Sequence, residues 1–401
     1  MFAPDALEHG SPAFNSSWYA VAFSEEVKQG GVFATRLWGE PIVLYRDGEG
    51  RAVCVRDLCP HRSAPLSMGQ MDGGSLRCFY HGWAFGSKGK CTDVPTISMV
   101  EGRTPNLSAF CATSFAVEER EGMLWVWRGH VLAADASRLP STALADDVLT
   151  VDTTLDYDVD WTHLVENNLR SPHLYWLHDG TAPPLTSLGR ADSTASRIEM
   201  RGSQDHSGSY AAPNVVHHSG VNGYAEEVHV VPIARQRARV LLRQHIRKGA
   251  LLSAAGAIPG GLGVVASLLR TANSRVGRMD YAAMQQRVAE EPRPSERAGE
   301  LLGEFRAWLS AAEQSERPYF SRWDGAETSV GTRLSLGEQQ DDEPTGTYGL
   351  KQSYVRDHPV PKYAPMAEAE TSTPLRSLQR TASAAAVSVP AALLAYDLLF
   401  S

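Results

Sequence analysis

The chain reads as an α+β protein. An N-terminal all-β domain is expected over residues 14–130, followed by a second, α+β domain of catalytic type over 151–320 that combines an antiparallel sheet with helices. An extended tail is expected over 324–401. Three stretches predict this. "PIVLYRDGEGRAVCVRDLC" (41–59) is two β-type runs around a Gly-containing turn, the pattern of a hairpin. "EEVHVVPI" (226–233) and "RARVLLRQHIR" (237–247) are strands of a later sheet. "SERAGELLGEFRAWLSAAEQ" (295–314) places apolar residues at helical spacing.

Taken in order, "GMLWVWRG" (122–129) is a further strand of the first domain and follows a turn at Glu121–Gly122. "VLAADASRLPSTALADD" (131–147) is small and polar with one proline, so 131–150 is read as a linker. Within 151–290, helical stretches are expected around 161–170 and 275–291. "LLSAAGAIPGGLGVVASLL" (251–269) reads as the lining or lid of an apolar cavity, or equally as a plain core helix with a flexible start. Beyond 324 the chain is rich in Gly, Thr, Asp and Pro, and no internal repeat is found.

Composition narrows the function classes. The 401 residues are 43% hydrophobic and 21% charged, ordinary values for a folded protein. A net charge of −8 argues against nucleic-acid binding, which needs concentrated basic residues. No stretch is long and apolar enough to cross a bilayer. "AAAVSVPAALLAYDLLF" (384–400) comes nearest but contains a proline and an aspartate, and reads as a docking segment or a peripheral membrane contact. The first residues have neither the basic and apolar regions of a secretory signal nor the Arg-rich character of a transit peptide. Any targeting segment is therefore expected to have been removed or never to have existed. Five cysteines, an odd number, fit no disulfide framework and point to a reducing compartment.

The most specific signal is "CPHRSAPLSMGQMDGGSLRCFYHGW" (59–83). Cys59 and His61 are two apart, Cys78 and His81 three apart, and sixteen residues separate the pairs. Each pair presents one thiolate and one imidazole from a tight loop. A [2Fe–2S] cluster of mixed ligation takes two thiolates on one iron and two imidazoles on the other. A structural zinc site also uses two cysteines and two histidines, although its spacings usually place a helix before the final histidines. Gly82 is expected to let backbone approach the cluster closely, with Tyr80 and Trp83 shielding it. Cys54, Cys91 and Cys111 fall outside the ligand set and are expected to be buried, inert thiols.

In this motif the chain resembles the Rieske non-haem iron oxygenases, whose signature is Cys-x-His, some sixteen residues, then Cys-x-x-His. The likeness covers residues 14 to about 290. It is strongest to the chlorophyllide and pheophorbide oxygenases of chloroplasts, through "FNSSWYAVAF", "CPHRSAPLSMG", "YHGWAFGSKGKC", "EREGMLWVWRG" and "VHVVPIARQRARVLLRQ". The resemblance implies an N-terminal Rieske domain and a catalytic domain holding mononuclear Fe(II) on two histidines and a carboxylate, with positions left open for dioxygen and substrate. In "HLVENNLRSPHLYWLH" (163–178) His173 and His178 match the histidine pair and Asn167 an upstream Asn. In "VGRMDYAAMQQR" (276–287) Asp280 matches the carboxylate. His217 and His218 are expected to be surface or core residues.

One residue departs from that pattern. Arg170 stands where the family has an aspartate that accepts hydrogen bonds from a cluster histidine of one subunit and an iron histidine of the next. Arginine has no acceptor and stays protonated. The alternative is a guanidinium that swings away to pair with Glu166 or another acid and leaves the site usable. The resemblance thus implies the Rieske-bearing polypeptide of a two-polypeptide chlorophyllide a oxygenase of green algae, with ferredoxin as electron donor, a related subunit carrying the active iron, and a hetero-trimer or other oligomer in the chloroplast. Its substrate would be chlorophyllide-like or another hydrophobic small molecule, with methyl oxidised to formyl. A self-sufficient Rieske monooxygenase and a non-enzymatic Rieske electron carrier are the alternatives.

Overall fold

The computed structural model describes residues 14–98, 106–140, 147–169, 188–193, 197–202, 207–219, 224–287 and 300–315. The first domain begins with β1 (Trp18–Phe23), β2 (Val32–Leu37), β3 (Glu40–Arg46) and β4 (Ala52–Arg56). Short strands follow: β5 (Gln70–Asp72), β6 (Ser75–Arg77), β7 (Ala84–Phe85) and β8 (Cys91–Asp93), with a single helical turn, α1 (Pro95–Ser98). It closes with β9 (Ser114–Phe115), β10 (Val117–Arg120) and β11 (Met123–Trp127). These form three antiparallel sheets, ordered β1-β11-β10, β2-β3-β4-β9 and β5-β6-β7-β8.

Two-residue turns set the register. Trp38–Gly39, Gly73–Gly74 and Glu121–Gly122 each put both residues at positive φ and join directly paired strand ends. That backbone twist matches the twist of the flanking strands, which is why such turns favour hairpins. At Gly74 a side chain is also excluded sterically, because a Cβ would stand 2.3 Å from the Gly48 nitrogen.

The second domain contains β12 (Val148–Tyr157), α2 (Trp161–Leu169), β13 (Leu188–Ser193), β14 (Arg197–Gly202), β15 (Ser207–Ala211) and β16 (Val215–Ser219). It continues with β17 (Ala225–Ala234), β18 (Arg237–Arg247), α3 (Ala250–Gly256), α4 (Gly261–Arg287) and α5 (Glu300–Ser315). Its seven strands make one antiparallel sheet, ordered β12-β18-β17-β16-β15-β14-β13. The α+β class, all-β unit first, is therefore the observed one. Two details differ from the sequence reading: β12 starts at Val148, inside the expected linker, and α4 starts at Gly261 rather than near 275. The expected tail (324–401) lies outside the described residues.

Alternation along β18 gives the big sheet two different faces. Ala238 and Val240 join Leu164 and Val165 of α2 and Met284 of α4 in one core. Leu241 points the other way and packs with Trp18, Phe23, Met123 and Trp125 of the first domain. On that second face the charged residues are also buried. Arg239 forks onto Asp156 at 2.6 and 2.9 Å, and Arg243 forks onto Asp152 at 2.7 Å through both nitrogens. Arg243 also donates to the Glu121 carbonyl, and its guanidinium lies 5.3 Å from the Phe23 ring. Backbone bonds from Trp38 and Gly39 to the carbonyls of Pro232 and Ile233 complete this seam between the domains.

Aromatic rings secure the start of α2. Phe14 contacts Trp38, Trp161 and Trp308 edge-on at 5.6–5.8 Å, and Trp308 reaches Tyr210 at 5.3 Å. The N-terminal segment, the first domain, α2, α5 and the sheet thus meet in one hub, where edge-to-face pairs contribute beyond area burial.

Candidate metal centre

Two loops carry the Cys/His motif, and they are built alike. In the first, the Cys59 N–H bonds the Ala64 carbonyl at 2.8 Å and the Ser63 N–H returns to the Cys59 carbonyl at 2.8 Å. In the second, the Cys78 N–H bonds the Trp83 carbonyl at 2.8 Å and the Gly82 N–H returns to the Cys78 carbonyl at 3.0 Å. The fourth residue after each cysteine has positive φ, +55° at Ser63 and +74° at Gly82. Gly82 is the natural occupant of that conformation; Ser63 adopts it with a side chain.

Each loop is pinned from outside. The buried Asp57 carboxylate accepts from the Ser67 N–H at 2.6 Å and the Ser67 hydroxyl at 2.5 Å, closing the segment around Cys59 and His61. Arg77, next to Cys78, donates to the Gly82 carbonyl at 2.7 Å and to Asp93 at 2.8 Å, tying the second loop to β8. Neither pin was foreseen in the sequence, because the partners share no spacing rule. A polar residue beside each ligand pair was the only signal.

The four expected ligands are brought together, cysteines with cysteines and histidines with histidines. Cys59 and Cys78 are 3% exposed and hydrogen-bonded to each other, whereas His61 and His81 are exposed with ring centroids 4.5 Å apart. Trp83 stacks parallel on His61 at 4.7 Å and Tyr80 tilts onto His81 at 4.0 Å, so both expected shielding residues touch the histidines. The Cys78 thiol is pulled down to about 7 by the hydrogen bond from Cys59, helped by the N–H groups of Tyr80 and His81 against the effect of burial. Cys59 is pushed up by that same bond and by burial. Burial and the neighbouring His81 and Arg62 lower His61.

This donor set fits a [2Fe–2S] cluster of mixed ligation. A single zinc ion would take all four side chains at one centre. A soft, buried thiolate pair beside an exposed imidazole pair is instead the pattern for two irons with two protein ligands each. Of the remaining cysteines, Cys54 and Cys91 are buried as expected, but Cys111 is only half-buried. Burial pushes the Cys54 thiol up and keeps it inert.

The expected mononuclear site is described only in part. Arg170, His173 and His178 lie outside the described residues. Asn167 lies on α2 and Asp280 on α4, both partly buried. The charge of Asp280, after burial itself, helps raise the Tyr157 hydroxyl. Glu166, the alternative partner for Arg170, is held by the α5 residue Arg306 at 2.7 and 2.9 Å. His217 and His218 are half-buried on β16, and a ring nitrogen of His218 lies 2.9 Å from the Asn168 carbonyl.

Comparison with known proteins agrees with this geometry. A family model described as the Rieske [2Fe-2S] domain matches residues 17–105. The chain is 33% identical over 190 residues to the iron-sulfur subunit TsaM1 of the toluene-4-sulfonate monooxygenase system of Comamonas testosteroni, covering 45% of this chain and 48% of that protein. It is 34% identical over 166 residues to chlorophyllide a oxygenase of Chlamydomonas reinhardtii, covering 41% of this chain and 24% of that protein. The matches thus span about half the length of these relatives or less. In fold, it is similar to dicamba monooxygenase bound to 3,6-dichlorosalicylic acid, with a TM-score of 0.64 at 20% identity, over 75% of this chain and 98% of that one. The chain thus carries a Rieske [2Fe-2S] domain, and over three quarters of its length it has the fold of a solved monooxygenase that pairs such a domain with a mixed one behind it.

Proposed function

We propose that this chain is the electron-delivering subunit of a hetero-oligomeric Rieske oxygenase, and that a related subunit carries the oxygen-activating iron. The observation behind this reading is Arg170 in a chain whose sequence keeps a full set of cluster donors. Cys59, His61, Cys78 and His81 hold the [2Fe–2S] cluster, which when bound supplies a one-electron store. The buried cysteines anchor it from the core side, and the exposed His61 and His81 give a neighbouring chain access to it. At position 170 a guanidinium replaces the acceptor that a bridge between subunits needs. A unit charge about 5 Å from another also costs roughly 3 kcal/mol at an effective dielectric of 20, before the double charge of Fe(II) is counted. Glu166, one acid that could draw Arg170 aside, is already engaged by Arg306 at 2.7 and 2.9 Å.

The donor is a ferredoxin and the substrate a chlorophyllide-type methyl group taken to formyl in the chloroplast. Likeness to a chlorophyllide a oxygenase supports this substrate, and likeness to an iron-sulfur subunit of a monooxygenase system supports the division of labour. A second reading, a self-sufficient monooxygenase with iron on His173, His178 and Asp280, draws support from a fold that spans nearly all of dicamba monooxygenase. Turnover decides between them. With ferredoxin, its reductase and chlorophyllide a, the isolated chain should form no product until a homologous subunit with aspartate at the bridging position is added. Product from the chain alone would overturn the division of labour, and Arg170→Asp should then change little.

A further inference from the structure

From Gly249 to Leu269 the chain has no charged residue, and from Arg247 to Met279 it has five basic residues and no acidic one, although the whole protein carries −8. The segment folds as α3, a turn through 257–260 and the first turns of α4. A core helix would bury its apolar residues. Here Ile258, Val264 and Leu268 are 63%, 62% and 38% exposed. The sequence expectation of a core helix or cavity lining therefore fails at these positions.

The hairpin is nonetheless well seated. Leu252, Ala266 and Leu269 are buried against Val151 and Ile246 of the sheet, so the opposite stripe of α4 is free to face outward by design of the pattern. At about 100° per residue, Val264, Leu268, Thr271 and Arg275 fall on that one outward stripe. It is apolar at its N-terminal end and basic about 11 residues, or roughly 16 Å, further along. Arg270, Arg275 and Arg278 are exposed on α4, and Arg247 and Lys248 precede α3. Lys248 lies 3.9 Å from Asp147, and Arg270 donates to the Asp152 backbone carbonyl at 2.9 Å.

We propose that this hairpin docks on an anionic lipid bilayer, with Ile258, Val264 and Leu268 at the acyl boundary and the cations at headgroup level. A convex apolar tip behind a basic collar is the arrangement that lies in a membrane interface. No described helix is long and apolar enough to cross one. The inference is independent of the reading of Arg170.

Flotation of the full chain with vesicles tests it. Wild type should float with mixed phosphatidylcholine–phosphatidylglycerol vesicles, less so in high salt, and poorly with phosphatidylcholine alone. Ile258→Glu/Val264→Glu/Leu268→Glu should abolish flotation while leaving circular dichroism and cluster absorbance unchanged. Arg275→Gln/Arg278→Gln should weaken binding about 25-fold, at about fivefold per cation. The proposal is overturned if wild type stays unbound, or if the triple Glu variant floats like wild type, which would move the contact elsewhere, for instance to 384–400. It is also overturned if the variant's only effect is to remove self-association seen without vesicles.

Discussion

Asp57 is not a ligand, yet the first ligand loop should depend on it. Asp57→Ala removes two charge-assisted hydrogen bonds, at 2.6 and 2.5 Å, and strands the Ser67 N–H in a residue only 4% exposed. Bonds to a charged group contribute about 1.5–3 kcal/mol each, so the loss is about 3–6 kcal/mol. It falls on the segment that must hold Cys59 and His61 in place. Asp57→Asn keeps one acceptor oxygen but turns an amide toward a donor, and should lose about half as much. Cluster absorbance followed through a urea titration gives the test, with bleaching expected earliest for Ala, then Asn, then wild type. If Asp57→Ala bleaches within about 1 kcal/mol of wild type, the loop does not rely on this pin and the reasoning is wrong.

Other consequences are equally direct. Arg243→Met leaves Asp152 unpaired at the seam and should destabilise by about 3–5 kcal/mol, whereas Arg243→Met/Asp152→Leu should recover most of that in a thermal or urea melt. In cluster-free protein, alkylation mapped to Cys78 should speed up as pH rises through about 7, where its thiolate forms; a rate that does not change with pH would contradict the bond from Cys59 that lowers it. His61→Cys should keep a cluster but lower its reduction potential, because a thiolate replaces a neutral imidazole. Gly82→Ala should reduce cluster occupancy, since it forces a side chain into positive φ and brings its Cβ to 3.1 Å from Pro95.

What was legible in the sequence was local. Cys59-x-His61 and Cys78-x-x-His81 are short-range patterns, and the loops that hold them close on their own backbone within five residues. The β3–β4 hairpin and strands β17 and β18 were equally plain from alternation and turn residues. Long-range pairing was not. "RARVLLRQHIR" alternates as though Arg239, Arg243 and His245 met solvent, but their face is buried against the first domain. Asp152 and Asp156 on the neighbouring strand make that possible, and nothing in either strand alone announces it. The early start of α4 was hidden by glycines at 256, 260, 261 and 263, which read as breakers although a Gly-rich turn there leads directly into the helix. Asp57 with Ser67, and Arg77 with Gly82 and Asp93, are contacts of tertiary structure that no spacing rule encodes.

Iron stoichiometry with electron paramagnetic resonance on the isolated chain tests the central claim most directly. The account predicts two irons per chain, inorganic sulfide in equal amount, and the reduced-state signal of a cluster with mixed cysteine and histidine ligation. A third iron that turns over dioxygen without any partner would contradict the division of labour, and zinc in place of iron would contradict the cluster itself.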